Sequence, residues 1–161
     1  MKDGEIQQVD APREIYLHPV NAFVAGFIGS PQMNFFDGSL DEANGEVRFE
    51  FESDEGRVEL PVSLPPEKKQ ALSPYFGKPL MMGLRPENLN LAGEGVPAFD
   101  ATVLVHEMLG AESYIHYKLQ GALHTLKTEP NVQKTIGEKI RVGADLSKAH
   151  FFDKETERSL L

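Results

Sequence analysis

Apolar and polar residues alternate most cleanly from Glu46 to Glu52. Val47, Phe49 and Phe51 fall on one face, and Glu46, Arg48, Glu50 and Glu52 on the other. A period of two marks a strand with one buried face. Asp54-Glu55-Gly56 is a turn sequence and alternation resumes from Arg57 to Val62, so the two runs predict a hairpin. Pro65-Pro66 opens a short helical piece reaching about Leu72, and Pro79 to Leu84 is an apolar strand ending at Arg85-Pro86-Glu87. Ala92 to Pro97 reads as a Gly-rich loop. Ala101 to Val105, Ser113 to Leu119 and Ala122 to Thr128 follow as three successive strands, and Ile136 to Val142 and Ala149 to Phe152 complete the sheet. Closely spaced strands punctuated by Gly and Pro predict a mainly all-β domain, a small barrel or sandwich.

The first thirty residues have another pattern. Glu5 to Val9 reads as a short strand after the Asp3-Gly4 turn. Asp10, Pro12 and Glu14 form a helix-start signature, with Asp10 as the expected N-cap, and Pro19 stops that helix. Asn21 is a second N-cap. Behind it Phe23, Val24, Phe27 and Ile28 make one apolar helical face, ended by Gly29-Ser30-Pro31. The domain boundary is therefore placed near residue 30, giving 1–30 and 31–161.

Composition narrows the function classes. The 161 residues suit one domain plus an appendage. The longest apolar stretch, Ala22 to Ile28, is far too short to span a bilayer, and Met1 to Glu5 has no signal-peptide character. There is no cysteine, which excludes disulfides and thiolate metal sites and leaves a cytosolic location as the expectation. The formal net charge of −9 opposes binding to phosphate backbones and anionic membranes. Lys68-Lys69 is the only basic doublet and Glu67 precedes it, so the sequence shows no basic patch and no nucleic-acid partner is expected.

Motif chemistry is sparse. Gly77-Lys78 is the only Gly-Lys pair, but Pro79 follows and Leu72 stands where a phosphate-binding loop needs Gly. Gly93-Glu94-Gly95-Val96-Pro97-Ala98 matches a dinucleotide fingerprint in form, yet a β-like run follows instead of a helix, so a plain loop is expected. A two-residue turn at Gln120-Gly121 would pair Tyr117 with His124 and His116 with Thr125, which points the two imidazoles to opposite faces and argues against a shared metal. No nucleophile elbow is present. Glu107 interrupts the apolar run Val103-Leu104-Val105 and Met108-Leu109, so it must be solvated, paired or at an interface. Glu87 lies beside Arg85, with Pro86 fixing the backbone between them.

Beyond these local readings, "MKDGEIQQVDAPREIYLHPVNAFVAGFIGSPQMNFF" closely resembles the junction between the nucleotide-binding and C-terminal domains of carbohydrate-importer ABC ATPases of the maltose, glycerol-phosphate and multiple-sugar type. "GLRPENL" (83–89), "VHEMLGAESYIHYKL" (105–119) and "HFFDKETERSL" (150–160) resemble that family's C-terminal domain, in the same order. The resemblance implies a transport-associated, OB-like β barrel. This barrel would be a regulatory and dimerisation domain of the ATP-hydrolysing subunit of an importer for sugars or related solutes. It also implies a parent in which the ATP- and Mg-binding motifs lie upstream of Met1, so that this chain is truncated at its N-terminus and is itself no enzyme and holds no cofactor or metal. The implied partners are a second copy, permease subunits through the ATPase domain, and a regulatory protein. The implied place is cytoplasmic, peripheral on the inner face of the cell membrane.

Residue by residue, the resemblance carries dimer or regulatory contacts onto Gly83, Arg85 and Glu87 of the G-x-R-P-E motif, Glu107 and Gly110 of E-x-L-G, and Phe152 of the terminal aromatic-Asp pair. It also implies that the face carrying Phe23, Phe27 and Ile28 docks on the absent ATPase domain. Residues 1–30 would then be disordered, repacked or buried against another chain. The alternative reading is a module binding a small ligand, such as a sugar, a sugar phosphate or an oxyanion, motivated by the Gly-rich loops and Arg85.

Overall fold

In a computed structural model, which describes residues 1–93 and 96–161, two short helices precede the strands: α1 (Pro12–Leu17) and α2 (Ala22–Phe27). Three strands follow, β1 (Asn34–Ala43), β2 (Glu46–Ser53) and β3 (Gly56–Val62), then helix α3 (Pro66–Leu72). The remaining strands are β4 (Pro79–Leu84), β5 (Leu89–Leu91), β6 (Ala98–Leu109), β7 (Glu112–Leu119), β8 (Ala122–Thr128), β9 (Lys139–Ala144) and β10 (His150–Asp153). The chain is mostly β, as the alternation predicts, and OB-like, as the resemblance implies. The strands form two five-stranded sheets, ordered β10-β4-β1-β2-β3 and β5-β9-β6-β7-β8.

Tight turns set the registers. Gln120 and Gly121 both take positive φ, 52° and 77°, and Asn44-Gly45 does the same at 55° and 84°. Two consecutive left-handed residues are what a two-residue hairpin with the right twist requires. The first turn yields the expected register, Tyr117 opposite His124 and His116 opposite Thr125. Tyr117 and His124 therefore point into the core, and His116 points away from it.

The inner faces of the two sheets share one core. Phe36, Leu40, Phe49 and Leu60 from the first sheet meet Val103, Ile115, Tyr117 and Leu126 from the second. Phe99 joins them edge-on, 5.4 Å from Phe51 at 87° and 5.9 Å from Phe36 at 71°. Full burial of each such side chain contributes about 1.5–3 kcal/mol.

Between β1 and β8 the sheets meet without a backbone ladder, and side chains bridge the gap. Asn34 Nδ2 donates to Thr125 O (2.8 Å) and to Leu84 O (3.2 Å), while its Oδ1 accepts from Thr125 N (2.7 Å). Gln120 treats Asp37 in the same way, accepting from its N–H (2.9 Å) and donating to its carbonyl (2.7 Å). His124 Nε2 lies 2.9 Å from Phe35 O and donates to it. The two carboxamides substitute for strand backbone, so buried peptide groups stay paired where the ladder stops.

The N-terminal third departs from expectation in three ways. Residues 5–9 form no strand, since the pairing there is an isolated Lys2–Glu5 bridge. The cap of α1 is Ala11; Asp10 Oδ1 instead accepts from the Ala11 N–H, the amide immediately after it. Asn21 does cap α2, accepting from Val24 N at 2.9 Å. The third difference concerns what α2 buries. It is neither loose nor unpartnered: Ala22 and Ala25 pack with Met33 and Phe152, flanked by Phe35 and Met81, and Val24 is also buried. Small residues let the helix lie close to the sheet. Phe27 points outward at 69% exposure, and Phe23 and Ile28 are half-buried. The four-residue face read from hydropathy thus splits, with Val24 in and Phe27 out.

Candidate functional site

Arg85 holds the N-terminal segment to the barrel. It follows β4 directly, and its side chain is 2% exposed. Nη1 donates to Ile28 O at 2.6 Å and Nη2 to Tyr16 O at 2.8 Å, so one guanidinium closes the C-terminal ends of both α1 and α2. The guanidinium carbon also lies 3.7 Å from the Tyr16 ring centroid, a stacked cation–π contact. Gly29 permits this approach: it takes φ 123°, and a Cβ there would sit 2.9 Å from Nη1. Burial pulls the Arg85 pKa down, but a guanidinium stays charged at any ordinary pH.

The pairing of Arg85 with Glu87 suggested by sequence is replaced by a relay through Tyr16. Tyr16 Oη donates to Glu87 Oε1 while its ring supports Arg85. Burial, then the hydrogen bond to Glu87, raises the Tyr16 pKa to about 12. The hydroxyl therefore stays a donor. No local pattern marks Tyr16 for this role, because its partners lie 69 and 71 residues away.

Beside this clamp runs a cleft of about 520 Å³. Its walls are the end of α1 (Tyr16, Leu17, His18), Lys68 of α3, the Arg85–Asn88 turn, the 147–150 segment and the C-terminal tail. Lys68, Lys148, His18 and His150 all line it. A basic cluster therefore exists in space where the sequence, with only Lys68-Lys69 adjacent, shows none.

The residues carried over from the resemblance fall into two groups. Gly83, Arg85 and Phe152 are buried within this chain. Gly83 lies under Met33 and Phe152, and a Cβ would meet Met33 Sδ at 2.5 Å and the Phe152 ring at 3.0 Å. These three seat the N-terminal helices and offer nothing to a partner's surface. Glu87, Glu107 and Gly110 are exposed.

Glu107 sits on the outer face of β6, where its Oε2 lies 3.3 Å from His116 Nε2 but off the line of a hydrogen bond. His116 Nδ1 contacts Thr125 Oγ1 at 2.8 Å. Around this pair the same face exposes Leu104 (38%), Val105 (44%), Leu109 (64%) and Leu123 (65%). A register shift between Val103 and Val105 turns both Leu104 and Val105 outward. Glu94 and Gly95 of the dinucleotide-like sequence lie outside the described residues.

Comparison with known proteins gives this architecture a family. Residues 29–89 match the MalK OB fold domain and residues 82–152 match the TOBE domain. The chain belongs to the MalK-type OB/TOBE domains. It is 38% identical over 159 residues to an uncharacterised ABC transporter ATP-binding protein, YcjV, of Escherichia coli O6:K15:H31, covering 98% of this chain and 41% of the relative. It is 34% identical to the oligosaccharides import ATP-binding protein MsmX of Bacillus subtilis, covering 98% of this chain and 42% of the relative. It is also 34% identical to the sulfoquinovosyl glycerol transport ATP-binding protein SmoE of Agrobacterium fabrum, covering 99% and 42%. The chain thus spans about two fifths of the length of the curated relatives it matches. Among solved structures, the cytoplasmic molybdate-binding protein ModG with molybdate bound shares the fold, with TM-score 0.54 and 17% identity over 73% of this chain and 94% of that one. No helix among the described residues is long and apolar enough to cross a membrane.

Proposed function

We propose that this OB/TOBE chain is the non-catalytic regulatory and dimerisation region of the ATP-hydrolysing subunit of an ABC importer for sugars or related solutes. The parent subunit, with ATP and Mg bound in its own ATPase domain, drives uptake through permease subunits at the inner face of the cell membrane. The family match and the similarity to import ATP-binding proteins support the setting. The observation that carries the dimer role is the outer face of β6–β7–β8. Leu104, Val105, Leu109 and Leu123 are exposed there, interspersed with Lys118 and the Glu107–His116 pair. Exposed apolar area around a partly shielded carboxylate–imidazole contact fits a protein contact better than a solvated surface.

Sedimentation of the chain from 10 to 500 µM tests this. The expected result is reversible self-association that weakens at least tenfold in Leu109→Ser/Leu123→Ser, with no heat of ATP–Mg²⁺ binding by calorimetry. A monomer across the whole range, or association unchanged by the double substitution, would overturn the dimer role of this face.

A further inference from the structure

The cleft beside Arg85 joins parts of the chain that the proposed dimer face does not use. Its charged side chains are Lys68, Arg85 and Lys148 against Glu87, which already accepts from Tyr16, and the C-terminal residue Leu161 also lines the wall. Among the described residues, neither Lys68 nor Lys148 forms an ion pair, although the chain is acidic and Lys69, next to Lys68, pairs with Glu42. Two exposed ammonium groups thus line a common cleft, and no side-chain carboxylate among the described residues pairs with either.

His150 lines the same cleft. Its ring stacks on Phe152 at 6.3 Å and 22°, and among the described residues its nitrogens make no hydrogen bond. Burial lowers its pKa to about 4, helped by Arg85, Lys68 and His18, three cationic or ionisable groups from three different elements. At neutral pH the ring is therefore uncharged, with one N–H to donate, and it reports a positive local field.

We propose that this cleft binds a small phosphate-bearing anion, held between Lys68 and Lys148 with the neutral His150 ring as a hydrogen-bond donor. A phosphate monoester carries about −1.5 to −2 charges at neutral pH and three acceptor oxygens, which match two ammonium groups and one N–H. A monocarboxylate would leave one lysine unneutralised. The volume of about 520 Å³ exceeds that of the phosphate group and lies within the usual range for small-molecule sites, so an esterified organic part fits against Leu17 and Ala149. Because the walls come from both α1 and the barrel, occupancy stabilises the docked N-terminal segment by linkage. Transmission onward to an ATPase domain rests on the function proposed above; the binding itself does not.

The test is titration of the chain with inorganic phosphate, glucose 6-phosphate and glucose, with sodium chloride at matched ionic strength, read by NMR of the His18 and His150 imidazoles. The expected result is saturable shifts with glucose 6-phosphate, a rise of the His150 titration midpoint in the complex, and at least tenfold weaker binding in Lys68→Ala or Lys148→Ala. Both lysines are exposed, so these variants keep the fold. Saturation by inorganic phosphate alone keeps the site and narrows its ligand to the free ion. Shifts no larger than those from chloride, a response to glucose alone, or undiminished binding in Lys68→Ala and Lys148→Ala overturn the proposal. None of these outcomes bears on self-association, which sedimentation reads separately.

Discussion

Replacing Arg85 by Ala should release one end of the N-terminal segment while leaving the barrel intact. The substitution removes two hydrogen bonds from a charged donor, to Tyr16 O and Ile28 O, and one stacked contact with Tyr16. Hydrogen bonds to charged groups contribute about 1.5–3 kcal/mol each and a desolvated cation–π contact about 2 kcal/mol. Against this stands the cost of burying the guanidinium, visible in its lowered pKa. The net local loss is then about 3 kcal/mol, on the order of a hundredfold in an opening equilibrium.

Native-state hydrogen exchange resolves this locally. The amides of His18 and Ile28, bonded to Glu14 O and Val24 O at the helix ends that Arg85 holds, should exchange on the order of a hundredfold faster. The Ala22 amide, bonded to Glu157 O, and the barrel amides of Ile115 and Leu126 should change little. Arg85→Lys should give an intermediate result, since one ammonium cannot span both carbonyls or stack as a plane. Unchanged exchange at His18 and Ile28, or equal acceleration throughout the barrel, would refute the clamp.

Two further predictions concern the whole domain. Asn34→Ala removes three hydrogen bonds, two of them across the β1–β8 seam, and leaves the Thr125 N–H buried without its acceptor, so urea denaturation should show a loss of about 2–4 kcal/mol; a loss below ~0.5 kcal/mol would show that the seam closes without it. Stability should also fall on acidification from pH 7.5 to 5.5. His124 and His150 both titrate below the usual 6.5 in the folded chain, each chiefly through burial, so the unfolded chain binds protons that the folded one does not. Their contribution is complete above pH ~6.5 and declines as pH falls from there towards the folded values. For His150, discounted for the solvent that still reaches its ring, the loss by pH 5.5 is about 1 kcal/mol. His150→Gln should flatten the urea midpoint against pH by that amount, and an unaltered slope would count against a depressed His150.

The amino-acid sequence determined the features that depend on neighbours along the chain. Alternation from Glu46 to Val62 located β2 and β3, because a two-residue period reports directly which face is dry. Gln120-Gly121 fixed a register, and with it the opposite facing of His116 and His124, because a two-residue turn leaves one pairing. Asn21 announced the start of α2 by a bond that spans three residues. The family, too, was legible in motifs running from one end of the chain to the other.

Tertiary structure decided whatever depends on elements far apart meeting in space. Hydropathy weights Phe above Ala, so it read one face of Phe23, Val24, Phe27 and Ile28; within this chain the helix packs through Ala22, Val24 and Ala25, because close approach to the sheet selects small volume, and Phe27 stays outward. Arg85 looked like the partner of Glu87 two residues on, but its donors point back to carbonyls 57 and 69 residues away, with Tyr16 placed between the two charges. Lys68, Lys148, His18 and His150 are scattered along an acidic chain, and only closure of the barrel beneath α1 gathers them around one cleft. Local pattern encodes period, turn and cap, whereas the convergence of charge is set by how the two sheets and their covering helices come together.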